Sequence, residues 1–232
     1  MKKVFTTLAI LLLIGSSAFA QRSTVRVKNV SPFEHIPFHV AYFGKSEAGI
    51  DIISPISLGV NVLTGSNFEV DPSRSRTFAW TPVTIYASLS DQITFTTGLR
   101  WSYINLVAED DRIPSTEYIL PLGNTIRKAK VESSYLGVPV GFKARTNGII
   151  YGANISAEIL TGSHYKYKTS GDDSKSRYKA ANPFRSTIMA YFGYEWLGLY
   201  ASYSLTPFFK DDFSIFYDNG NVLSVGLIFD IF

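Results

Sequence analysis

Three histidines, three pairs of adjacent aspartates and one stretch dense in tyrosine and lysine are the residues of this 232-residue chain whose types could do chemistry. A serine nucleophile needs a base within hydrogen-bond reach and a third group to orient that base. His35 and His39 lie near the N-terminus, and His164 sits in GSHYKY with Ser163 before it. No His-x-Ser pair occurs, so His164 reads as a loop histidine and no catalytic residue is assigned. Asp110-Asp111, Asp172-Asp173 and Asp211-Asp212 resemble fragments of a calcium site, yet the spaced D-x-[DN]-x-[DN]-G loop is absent. Solvated charge is the expectation for all three pairs, and no metal or cofactor is expected. The stretch HYKYKTSGDDSKSRYKA interleaves Lys166, Lys168, Lys175, Arg177 and Lys179 with Tyr165, Tyr167 and Tyr178. Basic residues so arranged suit phosphate groups; single-stranded nucleic acid is bound by similar compositions.

The ends and the composition narrow the setting. The chain starts MKK, runs apolar from Leu8 to Ile14, and reads GSSAFA before Gln21. That order, basic, apolar, then small in an A-x-A pattern, describes a secretory signal peptide over residues 1–20. No cysteine follows it, which argues against a lipoprotein. Of 22 basic residues two, Lys2 and Lys3, lie in this leader, leaving near parity with 19 acidic residues. Such a balance gives no reason to expect a nucleic-acid partner. With no cysteine, disulfides and thiolate metal sites are excluded. Aromatic residues make up 15% of the chain, high for a soluble domain and usual where interfacial girdles exist. No apolar run near 18 residues follows the leader, so no transmembrane helix is expected. An exported all-β chain is then either a periplasmic sandwich or an outer-membrane barrel.

Alternation decides between them. In ITFTTGLRWSYIN (93–105), Ile93, Phe95, Thr97, Leu99, Trp101 and Tyr103 share one face, while Thr94, Thr96, Gly98, Arg100 and Ser102 share the other. The same period of two recurs over 51–63, 81–89, 135–145, 149–160, 187–194, 199–205 and 223–231, which predicts eight strands. Short links fall near Asp91, at Asn147-Gly148 and over 195–198; long polar links cover about 64–76, 106–132, 161–185 and 206–221. Short turns at one end and long loops at the other are the arrangement of an up-and-down antiparallel barrel spanning the outer membrane. If Asn147-Gly148 is a type I′ turn, Thr146 faces Ile149, Lys143 faces Gly152 and Gly137 faces Glu158, matching polar with polar throughout. The expected organisation is a signal peptide (1–20), an N-terminal arm (21–49) and the barrel (50–232). HIPFHVAYFG (35–44) alternates as well, so the arm could be a periplasmic segment, a plug or extra strands, raising the count to ten.

Arg100 now has a direction. Facing lipid near midplane it would cost about 2–4 kcal/mol, so it is expected inside. An eight-stranded barrel is just wide enough for its own side chains, which predicts a packed polar lumen with paired charges and little conductance. Two structural clusters are expected: Arg100 with Glu158, and, near the periplasmic rim, Lys143 and Arg145 with Asp51 and Asp230. The aromatic girdle should hold Trp101 and Tyr103 at the outer interface and Tyr151, Tyr194 and Trp196 at the inner one. Lys166, Lys168, Lys175, Arg177 and Lys179 would then lie outside the cell, where lipopolysaccharide supplies phosphates. Pro55, Pro82 and Pro139 each remove a ladder donor, and periodicity alone does not account for three.

YLGVPVGFKAR resembles the YL-x-[IV]-P strand of small outer-membrane barrels of the Bacteroidota, the PorT-like or outer-membrane β-barrel domain group. YSLTPFFKDD and NVLSVGLIFDIF resemble that group's closing hairpin, and Gln21 after Ala20 its cleavage site. A terminal Phe232 is similar to the end residue read by the barrel-assembly machinery, although here it falls on the inward parity. The resemblance covers roughly residues 50–232 and implies an outer-membrane barrel, with some members tied to type IX protein secretion. A monomeric, non-enzymatic barrel with a structural or surface-binding role is the leading expectation. An accessory role in secretion and a lipid-modifying enzyme are the alternatives; small barrels of the lipid A deacylase type carry the His-x-Ser pair missing here. A porin-like diffusion pore is disfavoured by the narrow lumen.

Overall fold

The computed structural model describes residues 38–43, 46–52, 55–109, 126–169, 173–194, 196–210 and 218–229, giving only the course of the backbone for the first two segments. The leader, residues 21–37, His35, Asp110-Asp111, Asp172, Asp211-Asp212, Asp230 and Phe232 lie outside the described residues. Eleven strands occur among the described residues: β1 (Phe38–Phe43), β2 (Ser46–Ile52), β3 (Ile56–Thr64), β4 (Arg76–Ser88), β5 (Ile93–Val107), β6 (Ile126–Thr146), β7 (Ile149–Thr169), β8 (Asp173–Arg177), β9 (Phe184–Tyr194), β10 (Leu197–Ser204) and β11 (Asn221–Phe229).

Eight of them close on themselves. All pairings are antiparallel and run β3, β4, β5, β6, β7, β9, β10, β11, with β11 returning to β3 over Asn221↔Thr64 to Phe229↔Ile56. A circuit followed pair by pair from Ile149 passes Tyr194, Leu197, Phe229, Ile56, Trp80, Trp101 and Leu136. It returns to β7 at Ile159, ten residues above its start. That stagger tilts the strands and fixes the bore. The remaining strands are additions. β8 pairs with the top of β7, β1 pairs with β2, and β2 lies on the lower part of β4 from Ala48↔Ala87 to Ile52↔Val83. Residues 38–43 and 46–49 of the expected arm therefore belong to the sheet, the latter next to β4.

The expected turn is present. Asn147 and Gly148 both have positive φ, 52° and 81°, as a type I′ turn requires, and Thr146↔Ile149, Lys143↔Gly152 and Gly137↔Glu158 are partners. The outward face is apolar all round: Leu58, Val60, Ile85, Leu99, Phe142, Ile155, Ile188, Leu199 and Val225 are all exposed. From Ile149 to Ile159 this belt rises ten residues, roughly 25 Å at ~3.3 Å per residue and ~40° tilt, the height of an outer-membrane hydrocarbon layer.

Two expectations need correction, and the prolines that periodicity leaves unexplained find a place. The long links are partly strand: β4 begins at Arg76, β6 at Ile126, and β7 and β8 occupy much of 161–177. The wall of β5, β6 and β7 thus climbs well above the apolar belt. Second, the lumen is layered rather than uniformly polar. Ile150, Met189, Tyr200 and Ile228 form an apolar floor. Above the polar middle, Leu63, Ile104, Leu106, Val131, Tyr135, Phe208 and Phe209 belong to an apolar cap. Long inward side chains at the top reach across the bore and exclude water, which burial rewards at about 25 cal/mol per Å2. The prolines cluster around the interrupted ladders of β4 and β5. Pro82 lies in the irregularity between Trp80 and Val83, where Thr81 and Pro82 oppose Arg100 alone. On the other side of β5 the ladder to β6 skips from Thr97↔Val140 to Arg100↔Gly137, across Pro139. Pro55 precedes β3, and its carbonyl accepts from the Thr81 amide at 3.0 Å. Pro82 sits in the gap the bulge leaves in its ladder, and Pro139 in a gap of unchanged register, so neither has to supply a donor there.

Phe209 is fully buried, with ring centroids 5.0 Å from Phe208, 5.8 Å from Phe68 and 6.4 Å from Tyr178. Replacing Phe209 with Ala should cost about 3–5 kcal/mol. Urea unfolding of lipid-refolded protein reads this directly; a change below 1 kcal/mol would mean the cap is not packed.

Candidate functional site

Two groups of charged residues stand out, one inside the barrel and one on its upper outer wall. Inside, Glu158 is fully buried and Arg100 and Arg185 are each 7% exposed. Glu158 is the best-satisfied group in the lumen: its Oε2 accepts from Ser102 Oγ at 2.8 Å and Arg185 Nε at 3.0 Å, and its Oε1 from Ser156 Oγ at 2.9 Å. Arg185 Nη2 also pairs with Oε2, and the guanidinium lies 4.7 Å from the centre of the Tyr135 ring. The ion partner of Glu158 is therefore Arg185, not Arg100. Arg185 falls at the start of β9, in a stretch that reads as loop from sequence, because its strand neighbours Ser186 and Thr187 carry no apolar signal.

Arg100 enters the same layer from β5, where Nη2 donates to Met189 Sδ at 3.6 Å and Nε has no partner. The expected rim group falls partly outside the described side chains. Lys143 is half-buried near the short-turn end of β6 and Arg145 is exposed. Asp51 pairs with Thr84 through its backbone, while its side chain and all of Asp230 lie outside the described residues. Trp101 is half-buried with Phe78 at 5.7 Å, and Trp80 is its cross-strand partner. Tyr151, Tyr194 and Trp196 are exposed near the short turns.

The outer wall holds the second group. Above Ile159 a bulge at Ser134/Tyr135 shifts the register between β6 and β7, and Gly162, His164, Lys166 and Lys168 become partners of Ser134, Glu132, Lys130 and Lys128. β8 continues the rows with His164↔Arg177 and Lys166↔Lys175. Alternate residues share a face, and Tyr165, Tyr167 and Val131 pack in or against the cap. The cations consequently share the outer face. Lys130, Lys166 and Lys175 form one row across three strands, with Lys128↔Lys168 above and Glu132↔His164↔Arg177 below. Lys179, also exposed, follows the buried Tyr178. Lys128 and Lys130 are missing from the sequence-based set because they sit in what reads as a loop.

Glu132 organises this face. Lys130 Nζ and Lys166 Nζ reach its two oxygens at 2.5 and 2.7 Å. Partial burial would raise its carboxyl, but hydrogen bonds from Lys130, Lys166 and Tyr103 hold it down to about 2. Lys128 is shifted down as well, but toward its neutral form: burial lowers it first, and Lys130, Arg74 and Lys168 press it further down. Glu132 thus holds two of the cations on this face, and Asp173 stands opposite Lys168 on β8. His164 makes no catalytic pair with Ser163. Ser163 turns inward, donating to the Glu132 carbonyl at 3.2 Å and sharing a 2.7 Å hydrogen bond with Ser133, while His164 stands on the other side of the sheet. No group of three or more His, Asp or Glu side chains able to hold a metal occurs among the described residues.

No protein-family profile and no curated protein matches the chain. It is similar to the crystal structure of Ail, the attachment invasion locus protein of Yersinia pestis, in complex with the heparin analogue sucrose octasulfate. The two are 16% identical, the likeness covers 79% of this chain and 99% of that one, and the TM-score is 0.33. At that TM-score the likeness carries no weight of its own, and the barrel stands on its closed pairing.

Removing one partner of a buried ion pair strands the other. Arg185→Met should destabilise the barrel by about 3–5 kcal/mol, while Arg185→Met with Glu158→Gln should recover most of that loss. Unfolding free energies of the single and double variants check this; additive losses would contradict the pairing.

Proposed function

We propose that the protein is an outer-membrane β-barrel that binds phosphate groups of lipopolysaccharide through the basic wall of β6, β7 and β8. The observation that carries this reading is the row Lys130, Lys166 and Lys175. Like charges directly opposite one another in a sheet are destabilising, and Glu132 neutralises only part of the face. Lys166 stands seven residues above Ile159, roughly 18 Å at ~3.3 Å per residue and ~40° tilt. That height suits the phosphorylated saccharide layer above the acyl chains. Charge-assisted hydrogen bonds to phosphate are the ordinary partner of such a group.

In this reading the chain is exported by its leader, inserted by the barrel-assembly machinery and works as a monomer. It binds rather than catalyses, and an unchanged lipid A mass spectrum on overexpression is the result consistent with that. The test of binding replaces Lys128, Lys175 and Arg177 with Gln, leaving both ion pairs of Glu132 in place. Affinity of the detergent-solubilised barrel for purified lipopolysaccharide should fall at least about tenfold and lose most of its salt dependence. Equal affinity of variant and parent, or no loss on dephosphorylating the lipopolysaccharide, would overturn the reading.

A second reading, an accessory role in type IX secretion, rests on the resemblance of YLGVPVGFKAR and the closing hairpin to the PorT-like group of the Bacteroidota. It predicts that deleting the gene blocks release of secreted cargo. Unchanged secretion would remove it and leave the binding role untouched.

A further inference from the structure

The polar layer of the lumen holds more positive than negative charge. Among the described residues, the buried charged side chains are Arg100, Glu132, Glu158 and Arg185. Glu132 belongs to the outer wall. Inside, two guanidinium groups therefore share one carboxylate, and that carboxylate is already engaged by Arg185, Ser102 and Ser156. Arg100 is left with a thioether at 3.6 Å and a buried Nε that has no acceptor. An unpaired cation between an apolar floor and an apolar cap is costly, because neither layer can solvate it.

Beside Arg100 there is a cavity of about 10 Å3, the size that holds a single water-sized particle. It is lined by Arg100 and Arg185 and by hydroxyl-bearing side chains, among them Ser57, Thr187, Tyr200 and Ser224. Thr187 Oγ1 is buried without a partner. Among the described residues no carboxylate lines the cavity, and its walls offer guanidinium N–H and hydroxyl O–H donors.

We propose that this cavity is a binding site for one small monovalent anion of the halide class, held by Arg100 and by hydroxyls that include Thr187. The anion balances the second guanidinium and joins β5 to β9 and β10 across the bore. Its role is to complete the fold, and the narrow, capped lumen makes release slow. A multivalent or polyatomic anion such as sulfate is too large for the space and does not substitute.

The test uses the full mature barrel, folded in detergent, in gluconate buffer at fixed ionic strength. Titration with chloride or bromide should raise the thermal midpoint of unfolding along a saturating curve, whereas sulfate should leave it unchanged. In Arg100→Met the halide response should disappear. If that variant does not fold, Thr187→Val serves instead and should shift the half-saturating halide concentration upward at least about threefold. Crystals grown in bromide should show an anomalous peak beside the Arg100 guanidinium. A midpoint indifferent to halide in the parent protein overturns the proposal. So does an undiminished response in the variants, or a peak without anomalous signal, which identifies a water.

Discussion

Closing the sheet is the constraint on which the remaining features depend. A backbone N–H or C=O that faces hydrocarbon has no water to turn to, so each must find a partner within the protein. The seam between β3 and β11 meets that demand over nine pairs that join residues near the start of the barrel to those at its end. Once the seam is set, the stagger around the circuit is fixed, and with it the bore. Outward residues are then forced to be apolar, and inward residues must fill a cylinder with no room for bulk water. A bulge on β4 lies opposite Arg100, and Pro82 and Pro139 lie where the interrupted ladders ask for no donor.

The layering of the lumen follows from the same confinement. Charges buried in the middle layer meet a medium of low dielectric, where an engaged carboxylate is stable and a stranded cation is not. Apolar layers above and below isolate that chemistry from both compartments. The upper wall has the opposite environment. Beyond the apolar belt the strands continue into water, their outer face free to carry lysines in rows that no lipid-facing strand could tolerate. Glu132 marks the change, since its carboxyl is held by half-buried ammonium groups rather than by a buried guanidinium.

The membrane-facing half of the fold was legible in the sequence because lipid imposes a strict period of two, and β7 shows it without a break from Ile149 to Ile159. The Asn147-Gly148 turn was legible because two adjacent positive φ values favour that dipeptide. What did not show was structure that obeys other rules. The tops of β6 and β7 face water on one side and a cap on the other, so their outward residues are charged and mimic a loop. Arg185 was missed for the related reason that polar neighbours hide the start of β9. Phe208 and Phe209 lie in a loop whose inward turn is set by long-range contacts with Phe68 and Tyr178, which periodicity does not reveal. Arg100 and Glu158 were found by parity, but parity cannot choose between two arginines for one carboxylate.

The absence of cysteine from the chain allows the central arrangement to be read one residue at a time. Single cysteines placed at each position from Ile149 to Ile159, labelled with an environment-sensitive fluorophore in lipid vesicles, report contact with brominated acyl chains. Strong quenching is predicted at Ile149, Tyr151, Ala153, Ile155, Ala157 and Ile159, and weak quenching at the five positions between them. Quenching without alternation, or a strand that labels and folds equally well in the absence of lipid and detergent, would contradict a barrel that turns its apolar flank to the membrane.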